Sequence, residues 1–339
     1  MDFKKIFIKG ACPTRMGGQA VMEGIMMKGE KKTALAVRLP NGDISVSTRW
    51  TRTFGKWAKV PLLRGVISFA DSLVDGIKTL MDSADMLEAG SEEEYENSKF
   101  ENWIENKFGT EVLWKFMIYS SLVVALAFSV GVFILFPTWV ASLGKLISTN
   151  VGWINLLEGL VRIALFIAYV WGISFMPDIK RVFQYHGAEH KTIHTFENLG
   201  LGELKIKNCR EYPTLHPRCG TSFLMFVFII AFICHVFLGW PVLWIRIVSR
   251  ILLLPVIAGI SYELLRWAGR SDNWFVKILS LPGLWMQKIT TNEPDDTMLE
   301  VAIVAVKAVC DNTEPRSYVI KNMDGAWPED RFEYPPSWK

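Results

Sequence analysis

Two kinds of apolar pattern run along this chain. Between Lys115 and Lys145 no residue is charged, and the stretch from Phe116 to Phe136 is long enough to cross about 30 Å of hydrocarbon as a helix. Three further runs follow, at about Asn155 to Met176, at Thr221 to Gly239, and at about Val242 to Leu265. The second run carries Glu158 and Arg162 near its start, and the fourth is interrupted by Arg246 and Arg250. The pattern predicts four transmembrane helices, with "GWPV" turning a helical hairpin between the last two.

Elsewhere the periods are shorter. "TALAVRLPNGDISVSTRW" alternates apolar and polar residues around Asn41-Gly42, which reads as a β-hairpin. "GGQAVMEGIMMKG" reads as a strand flanked by glycine turns, with Glu23 inside it. From Pro61 to Glu88, Leu62, Val66, Phe69, Leu73, Ile77, Leu80 and Ala84 recur every three to four residues, the mark of an amphipathic helix. Its apolar stripe is expected to cover the sheet rather than lie in the membrane interface. "GSEEEYEN" reads as an acidic linker, and "NWFVKILSLPGLWMQKITT" as an interfacial segment too short to cross. Thr297-x-x-Glu300 is the capping box of a short helix, and the tail from Asn312 has no periodicity.

The fold class that follows is an α-helical polytopic membrane protein of about four transmembrane helices with a small N-terminal cytoplasmic α+β domain. Residues 1–113 form the hairpin and amphipathic-helix domain with its linker. Residues 114–268 form the bundle, including a histidine- and cysteine-bearing loop at 177–220. Residues 269–339 form a cytoplasmic interfacial segment, a short helix and a tail.

Composition agrees with this. Half of the 339 residues are hydrophobic, and the net charge of +3 with no recognisable binding motif argues for the lipid bilayer, not nucleic acid, as partner. No secretory leader is read at the N-terminus, and five cysteines without a disulfide spacing fit reduced thiols. The loop between the second and third runs holds Lys180, Arg181, Lys191, Lys205, Lys207, Arg210 and Arg218, against Lys145 alone in the loop before the second. The positive-inside tendency therefore places the histidine loop and both termini in the cytoplasm. Glu158, Arg162, Arg246 and Arg250 then share a depth in the outer half of the bundle, where Glu158 is expected to neutralise at least one arginine across helices.

The chemistry concentrates in "YHGAEHKTIHTFE" and "HPRCGTSF", which hold four of the five histidines. Pro177 opens and Gly200 closes a predicted helix. Measured from His186, His190 lies at about 40°, Glu197 at about 20°, His194 at about 80° and Glu189 at about −60°, so all share one side. His216-x-x-Cys219 is a second chelating pair at the same membrane face, and mixed imidazole and thiolate ligation suits zinc, with another divalent metal as the alternative. His186-x-x-Glu189-His190 has the spacing of the inverzincin signature, in which two histidines bind zinc and the glutamate is general base. The expected ligands are His186, His190, His216 and Cys219 with Glu197 or His194, and the expected catalytic residue is Glu189.

These blocks, with "GGQAVMEGIMMKG", "GISYELLRW" and "TTNEPDDTMLEVA", resemble the YqhQ family of uncharacterised bacterial membrane proteins over most of the chain. The resemblance implies a metal-dependent enzyme in the bacterial inner (plasma) membrane. It also draws attention to Glu23, Glu263, Arg266 and Glu293. Two functional expectations result: a hydrolase acting on a lipid-linked or membrane-proximal substrate, and a scaffold or accessory subunit of a membrane complex, such as the protein-translocation machinery, with a structural metal.

Overall fold

The computed structural model describes residues 6, 14, 16–90, 107, 109–237, 242–268 and 273–321. The acidic linker beyond Gly90 and most of the "GWPV" turn lie outside the described residues. Contacts divide the chain into two compact units, one of residues 1–91, 170–231 and 247–339, the other of residues 92–169 and 232–246.

The larger unit is built on a five-stranded antiparallel sheet in sequential order, β1 (Gly17–Val21), β2 (Gly24–Lys28), β3 (Lys32–Arg38), β4 (Ile44–Trp50) and β5 (Ser317–Ile320). The expected hairpin is β3–β4, with Arg38 opposite Ile44 around the Asn41-Gly42 turn and Gly42 at φ +88°. "GGQAVMEGIMMKG" holds two strands, not one. Val21 pairs with Gly24, so Glu23 sits at the turn, in left-handed backbone at φ +49°. The tail, read as aperiodic, contributes β5, which pairs with β4 through Ile320 and Ile44.

Strand alternation sorts the side chains between two faces. Ile25, Met27, Ala34, Ala36, Ile44 and Val46 pack on the main core with Tyr185, Ala188, Met298, Val301 and Val304. Those partners come from α5 (Pro177–Leu199) and α10 (Asp296–Cys310), named in chain order with the helices below. The helix α10 is mostly apolar and largely buried, which makes it a central core element rather than a peripheral short helix. Its N-cap is Asp295, whose carboxylate accepts from the Met298 amide, two residues ahead of the expected box; Glu300 pairs instead with Arg38.

The opposite face meets α1 (Leu63–Ala89), and here the expected orientation is reversed. Asp75, Thr79 and Ser83 are buried, whereas Leu73, Ile77 and Leu80 are 52%, 61% and 45% exposed. The strands explain it: Lys28 on β2 reaches Asp71 and Asp75, and Arg49 on β4 reaches Asp75 and Asp82, so the polar stripe of α1 is the one that finds partners. Only Met86 and Leu87 at its end join Val21, Met26, Leu35 and Val37 in an apolar cluster.

The remaining helices are α2 (Thr110–Val130), α3 (Phe136–Leu143), α4 (Val151–Ile173), α6 (Ile206–Arg210), α7 (Gly220–Val236), α8 (Leu243–Ala268) and α9 (Trp274–Thr290). Among the described residues, three stretches are long and apolar enough to cross a membrane: Tyr119–Leu146, which joins α2 and α3 through a π-turn at Gly131–Leu135, Val151–Ile173, and Val248–Trp267. The apolar α7 has 17 residues, a rise of about 25 Å.

In the smaller unit Glu158 is buried and accepts from Arg162 at 2.8 Å on its own helix and from the Thr138 hydroxyl at 3.1 Å on α3. One ion pair of Glu158 is therefore within its own helix, where i, i+4 spacing brings the groups together. Arg162 also donates to the Phe133 carbonyl. Arg250 is half-buried on α8, and Arg246 lies on the same helix with its side chain outside the described residues.

Candidate metal centre

Pro177 at the first turn and Gly200, at φ +83°, bound α5 at the residues the sequence indicated. Along it, His186 and His190 stand one turn apart with ring centroids 4.4 Å from each other. Each ring is turned by a backbone carbonyl. The Nδ1 of His186 donates to Thr290 O at 2.8 Å, and the Nδ1 of His190 donates to Thr214 O. With Nδ1 protonated, both Nε2 atoms carry a free lone pair. The Nε2 of His186 meets the Cys219 Sγ at 3.1 Å, and the Nε2 of His190 is buried without a hydrogen-bond partner. One ligand atom from each of His186, His190 and Cys219 lies within 4.8 Å of the others, a spacing that one divalent ion can fill.

Local sequence sets this geometry. Gly187 lets the 290–292 segment close on α5, because a Cβ there would stand 2.1 Å from Asn292 O. The buried Lys191 donates to the carbonyls of Arg210 and Tyr212 and pairs with Glu293 at 2.6 Å, holding the loop that brings Thr214 over His190. Cys219 sits just before α7, where the Thr221 amide and hydroxyl reach its sulfur at 3.4 and 3.2 Å. Burial alone would raise this thiol, but neighbouring His190 and Thr221 outweigh it and hold the thiol below its ordinary value. Burial lowers His190, favouring the neutral ring that a metal needs.

Glu189 lies close enough to the centre to feel His186 and Cys219, and it also reaches the edge strand. Its Oε1 accepts from the Gly18 amide at 2.9 Å, and a Cβ on Gly18 would meet its Cδ at 2.8 Å. Burial pushes its carboxyl up to about 7, against the pull of His186 and the Gly18 amide.

His194, His216 and Glu197 form a separate, adjoining network. The His194 and His216 centroids are 4.5 Å apart, and His194 stacks on Tyr212 and donates from Nε2 to Leu215 O at 3.0 Å. The Oε1 of Glu197 accepts from the Thr14 amide and hydroxyl at 2.8 and 2.7 Å, and its Oε2 pairs with Arg218 and lies 3.8 Å from His216 Nε2. Burial would raise Glu197, yet His216, Arg218 and Thr14 hold it at about 2. Burial in turn holds His194 and His216 at about 4. Gln287 of α9 clamps His216 by accepting from its amide at 2.8 Å and donating to its carbonyl at 2.9 Å.

Of the other residues singled out, Glu23 pairs with Arg181 and accepts from the Tyr185 hydroxyl, a structural carboxylate between the β1–β2 turn and α5. Glu263 on α8 pairs with Arg64 of α1, and Arg266 is half-buried one turn further on. Sequence reading did not identify Thr214, Thr290 or Gln287. The two threonines act through backbone carbonyls, which leave no side-chain signal. Arg218 was legible only as one more cation in the loop.

Residues 60–312 match the family described as "Protein of unknown function (DUF1385)". The "Uncharacterized protein YqhQ" of Bacillus subtilis (strain 168) is 34% identical over 303 residues, which cover 87% of this chain and 92% of that one. No solved structure matches. The family match includes α5, Cys219 and the accepting carbonyls of Thr214 and Thr290, and this protein belongs to the DUF1385 family.

Proposed function

We propose that His186, His190 and Cys219 hold a zinc-type divalent cation and that the protein is a metal-dependent hydrolase acting on a lipid-linked or membrane-proximal substrate. The observation that carries this reading is the pair of imidazoles whose Nδ1 atoms are committed to backbone carbonyls, leaving Nε2 lone pairs beside a low-lying thiol. Carbonyl-anchored imidazoles are the usual support of histidine ligands. His186, His190 and Cys219 would hold the cation, which would supply Lewis-acid polarisation of a substrate carbonyl or a water. Glu189, with its carboxyl at about 7, is the base that takes the proton near neutral pH.

Four membrane crossings accompany this reading. The helix α5 follows α4 and Cys219 precedes α7, and the meeting of His186 with Cys219 supports a start of α7 on the face where α4 ends. The C-terminal part of α8 belongs to the same unit, through Glu263 and Arg64. If α8 spans toward that face, α7 supplies the outward crossing despite its length, tolerated by local thinning of the bilayer. The lysines and arginines of 180–218 support a cytoplasmic position for that face and for both termini.

Elemental analysis of purified wild type beside the His186→Ala/His190→Ala double variant tests the metal: one equivalent in the first and none in the second is the expected result. Glu189→Gln tests the chemistry, since glutamine still accepts from Gly18. Loss of function with metal and fold intact supports the hydrolase. A second reading, a structural metal in a membrane scaffold, is favoured by the bond from Glu189 to Gly18, which pins edge strand β1 to α5. Full complementation of a deletion by Glu189→Gln would select it.

A further inference from the structure

The helix α1 turns apolar side chains outward at its start and through its middle turns. Leu62, Leu63, Leu73, Val74, Ile77, Leu80 and Met81 are all exposed and occupy an arc of about 120°, while Asp71, Asp75, Thr79, Asp82 and Ser83 occupy the opposite arc. The polar arc is committed to Lys28 and Arg49 of the sheet. The outward face therefore needs an apolar partner, and two further observations identify it.

The first is continuity with a crossing helix. Gly65 packs on Gly259 of α8 so closely that a Cβ on Gly65 would stand 2.9 Å from the Gly259 Cα. Phe69 packs on Phe223 of α7, with ring centroids 5.6 Å apart. Gly259 lies eight residues before the end of the apolar stretch at Trp267, about 12 Å along the axis. Helices that lie in the membrane plane embed their apolar face about 5–10 Å into the headgroup and acyl boundary, slightly shallower than the level at which the first turns of α1 pack.

The second is the lead-in, "RWTRTFGKWAKVPLLRG". Five cations and no acidic residue occur between Asp43 and Asp71. Arg49 and Arg64 are used in ion pairs, but Arg52, Lys56 and Lys59 are exposed and alternate with exposed Trp50, Phe54 and Trp57. Indole and phenyl rings interleaved with basic side chains suit the headgroup layer of an anionic leaflet, where each cation near the surface contributes about 1 kcal/mol.

We propose that residues 50–89 are an in-plane membrane anchor, in which the apolar face of α1 is immersed at the acyl boundary and Arg52, Lys56 and Lys59 bind the headgroups of anionic phospholipids. The inversion of α1 follows from it: a helix between a sheet and a bilayer keeps its charges for the sheet.

The test uses the full-length chain in bacterial membranes containing phospholipid labelled in the headgroup. A benzophenone amino acid is placed at Ile77 or Leu80, with Asn41, exposed at the β3–β4 turn, as control. Irradiation should give labelled lipid adducts at Ile77 and Leu80 many-fold above Asn41. Adducts to a second copy or to another protein, or a yield no higher than at Asn41, would overturn the anchor. Arg52→Gln/Lys56→Gln/Lys59→Gln is then purified from nanodiscs of mixed phosphatidylglycerol and phosphatidylcholine. The wild type should retain phosphatidylglycerol several-fold in excess of its bulk share and the triple variant should not; equal enrichment in both would remove the headgroup contacts from the proposal.

Discussion

The Nε2 of His186 lies 3.1 Å from the Sγ of Cys219, so a helix and a loop separated by 33 residues meet through two ligand-type atoms. Neither side chain reaches that point alone. The imidazole is held there by Thr290 O, and the sulfur by the first turn of α7.

Cys219→Ser should therefore abolish metal retention. A serine hydroxyl keeps the contacts to Thr221 but does not ionise near neutral pH, whereas the thiol is already held below its ordinary value. The loss of affinity, read by competition with a chromogenic chelator, should exceed the roughly 10–100-fold that changes around a ligand cause.

Gly187→Ala tests the support for His186 without touching a ligand. A Cβ at 2.1 Å from Asn292 O has to push the 290–292 segment away, and Thr290 O moves with it. Metal affinity should fall by about 10–100-fold while His190 and Cys219 remain in place. Gly202→Ala, whose Cβ meets nothing within 4 Å, should leave affinity unchanged.

What the chain discloses by itself follows from which atoms carry each feature. The boundaries of α5 were legible because Pro177 and Gly200 act on their own backbone, and His186 and His190 fell on one face by period alone. The β3–β4 hairpin was legible from alternation around Asn41-Gly42. The orientation of α1 was not. The spacing of Leu73, Ile77 and Leu80 says which side of the helix is apolar, but Lys28 and Arg49, more than twenty residues upstream of the aspartates they meet, decide which side faces the sheet. The strand β5 was hidden by the proline and charge around four β-prone residues.

Acid should destabilise the protein in two stages. His194 and His216 are held at about 4 by burial, against 6.5 for the free side chain, so the unfolded chain binds their protons more readily. Their contribution is complete above 6.5 and is lost as pH falls toward 4, on the order of 3 kcal/mol for each ring. Glu197, held at about 2 against 4.5, adds a loss that begins below 4.5. Thermal unfolding of detergent-solubilised protein should show a midpoint falling continuously between neutral pH and 4, and His194→Gln should flatten the first stage. A midpoint independent of pH over that interval would contradict the buried neutral rings.

The polar stripe of α1 makes the sharpest demand on stability. The side chain of Asp75 is 8% exposed and meets both Lys28 at 2.8 Å and Arg49 at 2.9 Å, whereas Asp82 is 35% exposed and meets Arg49 alone at 3.1 Å. The carboxyl of Asp75 is lowered despite its burial because both cations act on it. Asp75→Asn keeps the shape and removes the charge, leaving Lys28 and Arg49 with one acidic partner each, Asp71 and Asp82. The cost should be about 2–4 kcal/mol, close to that of breaking a buried pair. Asp82→Asn should cost under about 1 kcal/mol, as an exposed pair does. Unfolding midpoints of the two variants, measured side by side in one detergent, give the comparison. Equal costs would mean that the charged stripe does not hold α1 to the sheet, and the outward placement of Leu73, Ile77 and Leu80 would lose its cause.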